Sequence, residues 1–513
     1  KPFEAKRGAD PAPLPAPANS ILTSETSPID LPTALRLSGV QNPDLLAARQ
    51  RVVEGEAIHM LAAAQYLPSL NAGMNYGSHT GTLQQSNGNI LSVNRTSIYV
   101  GSGANAISAG TVNIPGVVLS GNVAAVVYGE LAARQLVQGR EAAAIGVRNQ
   151  VFLAVTQTYS ELLRSYGRLA ICRTNRDESH EIARLTADYA ASGEGRKADA
   201  DRASTELAQR EADILAAEGG VISAVARLCQ VINVDPSVRL VPTDAYVVPM
   251  PIVPGPMPLP ELIAIGLLQR PELAERRALI RETMYALEGA KKLPFSPTVL
   301  IGFSGGAFGG GSNLVRPIFG GFGGRTDLDA MAVWTLRNLG IGNVALIRQA
   351  DARMQIARLQ EVTVLNRVRA EVAEAYARIH ARYAQIGSTE IAVRDSTMAY
   401  REDLARIKDR AERNVLPIEL LNSFRLLAQS RLLYLDAIVD YNRAHFDMYV
   451  ALGQPPADML ARPVPIDGVK ASTLPAPNTD SALVPTDGSA SNTSNLNPGT
   501  TPVSLRPAAT LRR

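Results

Sequence analysis

The chain carries one pattern twice. Residues 31–76 open with Leu31-Pro32, pass through Gln41-Asn42-Pro43-Asp44-Leu45 and reach Pro68-Ser69-Leu70-Asn71-Ala72-Gly73-Met74. Residues 259–303 open with Leu259-Pro260, pass through Gln269-Arg270-Pro271-Glu272-Leu273 and reach Pro297-Thr298-Val299-Leu300-Ile301-Gly302-Phe303. The offset is 228 residues at the leading prolines and 229 at the later ones, so one inserted residue separates the copies. A period this long is no short solenoid unit. It predicts two equivalent halves, each a helix, an uncharged stretch, a very long helix, a turn and another helix.

A length of 513 residues would allow several domains. The duplication argues instead for one elongated body. Lys+Arg 51 against Asp+Glu 48 gives a net charge of +3, with no basic block, so no nucleic-acid partner is expected. Aromatic residues are only 5%, and alanine-rich helices suit close helix packing better than a thick core. Cys172 and Cys229 lie on helices read as folded back near Gly193. That places them roughly 20 Å apart along the axis, too far for a disulfide. The compartment is not fixed by cysteine usage. The opening Lys1 and the Pro/Ala run at Pro11, Pro13, Pro15 and Pro17 are what a processed precursor or a trimmed chain would show.

Charges stop twice. Between Glu56 and Glu130 the only formal charge is Arg95, and between Lys292 and Asp327 there are only Arg316 and Arg325. The two deserts hold matching places, and depletion on that scale points to hydrocarbon. A spanning helix wants about 20 mostly apolar residues. The first desert is instead broken by Gly101, Gly103, Asn105, Asn113, Pro115, Gly116, Gly121 and Asn122. Strands fit better. Leu70, Ala72, Met74 and Tyr76 alternate with Asn71, Gly73, Asn75 and Gly77, as do Val299, Ile301 and Phe303 with their neighbours. The expectation is two hairpins, about 67–127 and 297–335, with return strands near 112–127 and 327–335. Long flexible loops are expected at 78–110 and 305–324.

Helical periodicity without proline runs from about Tyr128 to Ala190 and from about Leu336 to Arg413. These predict rods of roughly 95 and 115 Å. The segments 31–66, 196–233, 259–292 and 417–452 are about half as long. Two stacked short helices therefore match one long helix in each half. A soluble periplasmic coiled-coil scaffold or adaptor is the alternative, and it leaves the matched deserts unexplained. The domain reading is an extended or disordered 1–29, a first half 30–248, a Pro-rich linker 249–260, a second half 261–463 and a disordered tail 464–513.

Over about residues 30–460 the chain resembles the TolC-like outer-membrane efflux proteins. The likeness rests on Asn42-Pro43-Asp44-Leu45 and Arg270-Pro271-Glu272-Leu273, and on Trp334-Thr335-Leu336 leading into the long helix. It also rests on Leu420-Leu421 through Tyr441-Asn442-Arg443-Ala444 to Ala451-Leu452-Gly453, and on the run from Gly193 through Leu207-Ala208 and Glu211 to Asn233-Val234-Asp235-Pro236. The resemblance implies a mainly α fold with a membrane β-barrel portion: a homotrimer in which each chain gives four strands to a shared twelve-strand barrel and its helices to a tunnel. It implies an outer-membrane location reaching into the periplasm, and a passive exit duct for efflux or type I secretion. Its partners would be a periplasmic adaptor, an inner-membrane transporter and outer-membrane lipid. It implies no enzyme and no cofactor.

In the family, acidic residues close the inner mouth just after the long-helix turn. The positions that match are Asp199 and Glu419, with Asn422 where a second acid can stand. A ring of carboxylates would favour cations at a narrow entrance. The same acids are ordinary helix-start residues favoured by the helix dipole, and that alternative stays open. Gly193, Gly195 and Arg413 are the expected adaptor-contact tip, although Arg413 and Val415 depart from the family's turn glycine and gating arginine. Tyr76 and Trp334 are candidates for interfacial aromatics. The five histidines have no metal-ligand spacing, and the Gly-rich 305–311 matches no phosphate loop. No catalytic constellation is apparent.

Overall fold

The computed structural model describes residues 26–105, 113–244, 246–253, 257–408 and 417–454. Those residues all lie within the unit Lys1–Pro465. The expected tail 464–513 lies outside them.

The chain begins with β1 (Thr26–Ile29), α1 (Leu31–Gln41) and α2 (Pro43–Ala64). The expected single helix 31–66 is thus two. Pro43 cannot continue α1, because its ring displaces the preceding turn. Asn42 caps α2 instead, accepting from the Asp44 and Leu45 amides at 2.9 and 3.2 Å. Strands β2 (Ser69–Leu70), β3 (Ala72–Gln84), β4 (Ile90–Asn105), β5 (Asn113–Pro115) and β6 (Val117–Asn122) follow. Then come α3 (Val123–Ala191), α4 (Lys197–Ile232) and β7 (Arg239–Pro242). The second half holds α5 (Leu259–Gln269), α6 (Pro271–Lys292), β8 (Thr298–Ser312), β9 (Val315–Val333), α7 (Ile341–Lys408) and α8 (Pro417–Ala451). A 3-10 turn at Leu293–Phe295 takes up the inserted residue between the copies.

At 69 and 68 residues, α3 and α7 are each about 102 Å long, between the two lengths expected. Helices α2 and α4 both pack along α3, and α5, α6 and α8 pack along α7. Helix α4 is by composition long and apolar enough to cross a membrane. Its apolar face is instead spent on α3: Val221, Val225, Leu228 and Ile232 join Val155, Tyr159 and Leu162 in one core. Cys172 and Cys229 are both buried and free, as their spacing predicted.

Three expectations about extended segments are corrected. Residues 78–105 of the first expected loop, and 305–324, are not long loops; 106–110 lie outside the described residues. Strand β3 turns at Gly88 (φ +89) straight into β4, and β8 turns into β9 across Asn313-Leu314. Asn87-Gly88 is the local signal that drives the first turn. Residues 26–29 are not loose either. They pair in parallel with β7, Ile29 is buried, and its carbonyl accepts from Thr243 at 3.0 Å. The described linker residues 249–253 lie beside α8. Asn442 holds them, accepting from the Met250 amide at 2.7 Å and donating to the Val248 carbonyl at 2.8 Å.

The sheet joins the two halves. β8 pairs on one side with β6 and then with β4, and on the other with β9 along its length. β4 and β6 therefore act as one interrupted descending strand, with β2 and β3 on its far side. Four strand paths result, in the order β2/β3, β4/β6, β8, β9. Among the described residues β3 and β9 are the two unpaired edges. At the seam, Gly101 faces Gly306, where an added Cβ would strike the Gly305 and Gly306 backbone.

Candidate functional site

The sheet's two faces differ in chemistry, and the register shows why. One row runs Leu70, Val117, Phe303, Leu328; the next holds Ala72, Ser102, Gly305, Thr326, and the one beyond it Met74, Val100, Ala307. Tyr76 opposes Ile98 above them. This face is largely apolar and exposed, with Leu70 80%, Met74 71% and Leu328 72% accessible. The residues one step away point to the opposite face. That face carries Asn71, Asn75, Arg95, Ser97, Ser304, Arg325, Asp327 and Asp329. Arg325 pairs with Asp327 at 2.8 Å.

Tyr76 stands where the apolar rows end, since Ser78, Thr80 and Thr82 follow it on the same face. Trp334 stands at the helical end, one residue beyond β9. Both are exposed. Tyr66 and Phe295 are exposed beside the strand starts as well and were missed from sequence. Their position three residues before β2 and β8 is the signal that marks them.

The other candidate residues gather at the far end of the long helices. The α3–α4 turn closes with Gly193 donating to Ala190 and Gly195 donating to Tyr189 at 2.9 Å. Gly193 has φ +79, which only glycine adopts without strain. Arg413 lies outside the described residues. Asp199 sits in the first turn of α4 and is 9% exposed. It accepts from Arg202 at 2.9 Å in a crevice with Thr186, Pro417, Ile418 and Leu421. Glu419 and Asn422, in the first turns of α8, are exposed. The structure therefore brings Asp199 to the start of α8 but does not put it on the open face with Glu419. A core of Ile182, Ala203, Tyr400, Ile407, Leu420 and Phe424 binds all four helix ends, and Tyr189 donates to the Ile407 carbonyl at 3.0 Å.

Sequence reasoning missed the charges that clamp α8. The Glu206 side chain is fully buried between Arg210 (2.8 Å) and Arg425 (2.7 Å), joining α4 to α8. Arg431 forks onto Glu178 at 2.7 and 2.9 Å. Asp440 meets Arg164 of α3 and Arg382 of α7, and Asp447 meets Gln157 of α3 and Arg378 of α7. Burial raises the Asp436 carboxyl above its ordinary pKa, against the pull of Arg164 and Arg168. Only the i, i+4 pair Glu206–Arg210 is visible locally; every other partner comes from a distant helix. Among the described residues no cluster of three or more His, Cys, Asp or Glu could hold a metal.

Residues 35–234 match the family model described as outer membrane efflux protein. No curated protein matches the chain. Among solved structures the fold is similar to the outer-membrane channel OprN, at 18% identity over 82% of this chain and 89% of that one, with TM-score 0.67. It is similar to CusC, at 18% identity over 87% and 99%, with TM-score 0.66. It is also similar to the outer membrane protein VceC from Vibrio cholerae, at 16% identity over 83% and 96%, with TM-score 0.63. At these identities the likeness establishes the fold.

Proposed function

We propose that this chain, whose residues 35–234 match the outer membrane efflux protein family model, is one subunit of a passive exit duct, fixed in the outer membrane and reaching into the periplasm. The observation that carries the reading is the sheet, with an uncharged, largely apolar face on one side and polar residues on the other. From the Thr298 row beside Trp334 to the Gly309 row level with Tyr76, the sheet climbs eleven residues. That is about 36 Å along a strand and about 28 Å at the usual tilt, close to the apolar band of membrane barrels.

The unpaired edges β3 and β9 argue for closure by further copies. Open N–H and C=O rows are not tolerated in lipid, and only a closed barrel satisfies them. Three copies would give twelve strands. The two halves would then be duplicated units, each lending two strands and one long helix to the assembly. Glu419 and Asn422 would line the inner mouth, with Asp199 bracing the wall behind them. The turn at Gly193 and Gly195 would meet a periplasmic adaptor, and energy would come from an inner-membrane pump. The duct itself would carry out no chemistry.

The test is conductance of the detergent-purified protein in a planar bilayer. Channels are expected, with cation selectivity reduced by Glu419→Gln. Selectivity unchanged by Glu419→Gln and Asn422→Asp would remove the acidic mouth. A protein soluble without detergent that forms no channels would remove the duct.

A further inference from the structure

The feet of the two hairpins, where strands meet helices, differ in charge. Around the first, residues 60–70 and 117–129 carry no formal charge. Around the second, every formal charge in 289–297 and 330–350 is positive: Lys291, Lys292, Arg337 and Arg348. The two copies share one plan, so the plan itself does not call for these cations.

The fold gathers them at one place. β8 and β9 are neighbours, and their lowest rung pairs Thr298 with Val333. Lys292 ends α6 just before that rung, and Arg337 follows just after it. Both are exposed. Lys291 pairs with Glu288 at 2.8 Å, whereas among the described residues neither Lys292 nor Arg337 has an ion-pair partner. Arg348 lies one and a half turns or more along α7, about 10 Å farther from the sheet. Phe295 and Trp334, 80% and 61% exposed, stand between the two cations and the strands. The backbone under them is fixed. The Arg337 amide donates to the buried Asn343 Oδ1 at 2.8 Å. The Ser296 carbonyl accepts from Asn122 at 2.9 Å and its hydroxyl from the Ala124 amide at 2.8 Å, which ties the foot of β8 to the start of α3.

Aromatic rings favour the headgroup level of a bilayer, and long cationic side chains reach that level along apolar surface. A guanidinium forks onto two phosphate oxygens, and an ammonium adds a compact charge. A zwitterionic headgroup brings its own cation to the phosphate, so these side chains favour a headgroup of net negative charge.

We propose that the foot of the second hairpin binds the phosphate of an anionic phospholipid in the leaflet on the helical side, through Lys292 and Arg337, with Phe295 and Trp334 beside its glycerol region. This rests on the membrane placement proposed above. Each copy in a ring would carry one such site, and the uncharged foot of the first hairpin would carry none.

Trp334 is the chain's only tryptophan, so its fluorescence reports on this site. The full chain is placed in phosphatidylcholine vesicles with a minor share of phosphatidylglycerol, and one lipid or the other carries bromine on its acyl chains at equal mole fraction. Brominated phosphatidylglycerol is expected to quench Trp334 as if locally enriched, about fivefold for each cation. Lys292→Gln and Arg337→Gln should each remove one such factor. The double variant should respond nearly equally to both lipids, and Lys292→Arg should keep the preference. Inorganic phosphate, matched against sodium chloride of equal ionic strength, should leave the preference in place; displacement by it would make the ligand a free phosphate and overturn the lipid. Equal quenching by both lipids in the parent overturns the proposal and leaves the membrane placement standing. A preference that survives in the double variant overturns it as well. Quenching by neither lipid removes the membrane placement and the proposal together.

Discussion

His445 is the residue whose titration is most displaced toward acid. Burial lowers its pKa from 6.5 to about 4. Between pH 6.5 and 4 the unfolded chain takes up a proton that the native ring refuses, so stability should fall as pH drops through that window and this contribution should level off below it. His445→Phe should flatten that part of a plot of thermal midpoint against pH; an unchanged slope would refute the assignment. The two thiols move the other way. Burial, aided by Asp235, pushes Cys229 up to about 11, and burial with Asp213 raises Cys172. Native protein at pH 8 should resist maleimide, and both thiols should react once it is denatured, counted by mass. At this scale sequence reads position better than environment. Asp199 was legible as a helix-start acid, but its burial was not, because the residues that cover it, Pro417 and Ile418, lie more than two hundred positions away. Glu206 was not legible for the same reason: Arg425 reaches it from α8.

Among the elements, the two helix breaks hold the halves in shape by the same means. Asn42 donates to the Val231 carbonyl near the end of α4, and Arg270 reaches the Val450 and Ala451 carbonyls at the end of α8. Both closing helices end alike: Val234 N bonds Cys229 O after left-handed Asn233, and Gln454 N bonds Tyr449 O after left-handed Gly453. Asn42→Ala removes the cap and the Val231 bond together and should cost about 1–2 kcal/mol, read from the denaturant midpoint. Loss of nothing measurable would mean that water replaces the cap. The helices were legible because apolar spacing and the absence of proline act locally. The upper strands were not. Gly, Ser and Asn are depleted in ordinary strands, yet here β8 and β9 use glycine across 305–324. Small residues suit a seam where one backbone crowds another, as at Gly101 and Gly306. The one residue that alternation cannot place is the turn, and Asn87-Gly88 held that information unused.

For the molecule as a whole the face assignment is decisive. Leu328 and Asp329 are neighbours in β9 that point to opposite faces. Leu328→Arg puts a charge at mid-height on the apolar side and should cost about 2–4 kcal/mol of membrane insertion. Asp329→Arg should insert normally and change ion selectivity instead. Fractionation of the outer membrane and bilayer recordings separate the two, and equal insertion of both variants would refute the lipid-facing side. The matched deserts made the sheet legible, but not its closing order. Ser102 must find Gly305, and Arg95 must find Ser312, across some two hundred residues of intervening chain. Pairings that distant form slowly and late. Synthesis therefore releases the first hairpin long before its mate exists. During that interval its greasiest strip has nothing of its own to lean on, so biogenesis must lend it a shelter until the second hairpin emerges.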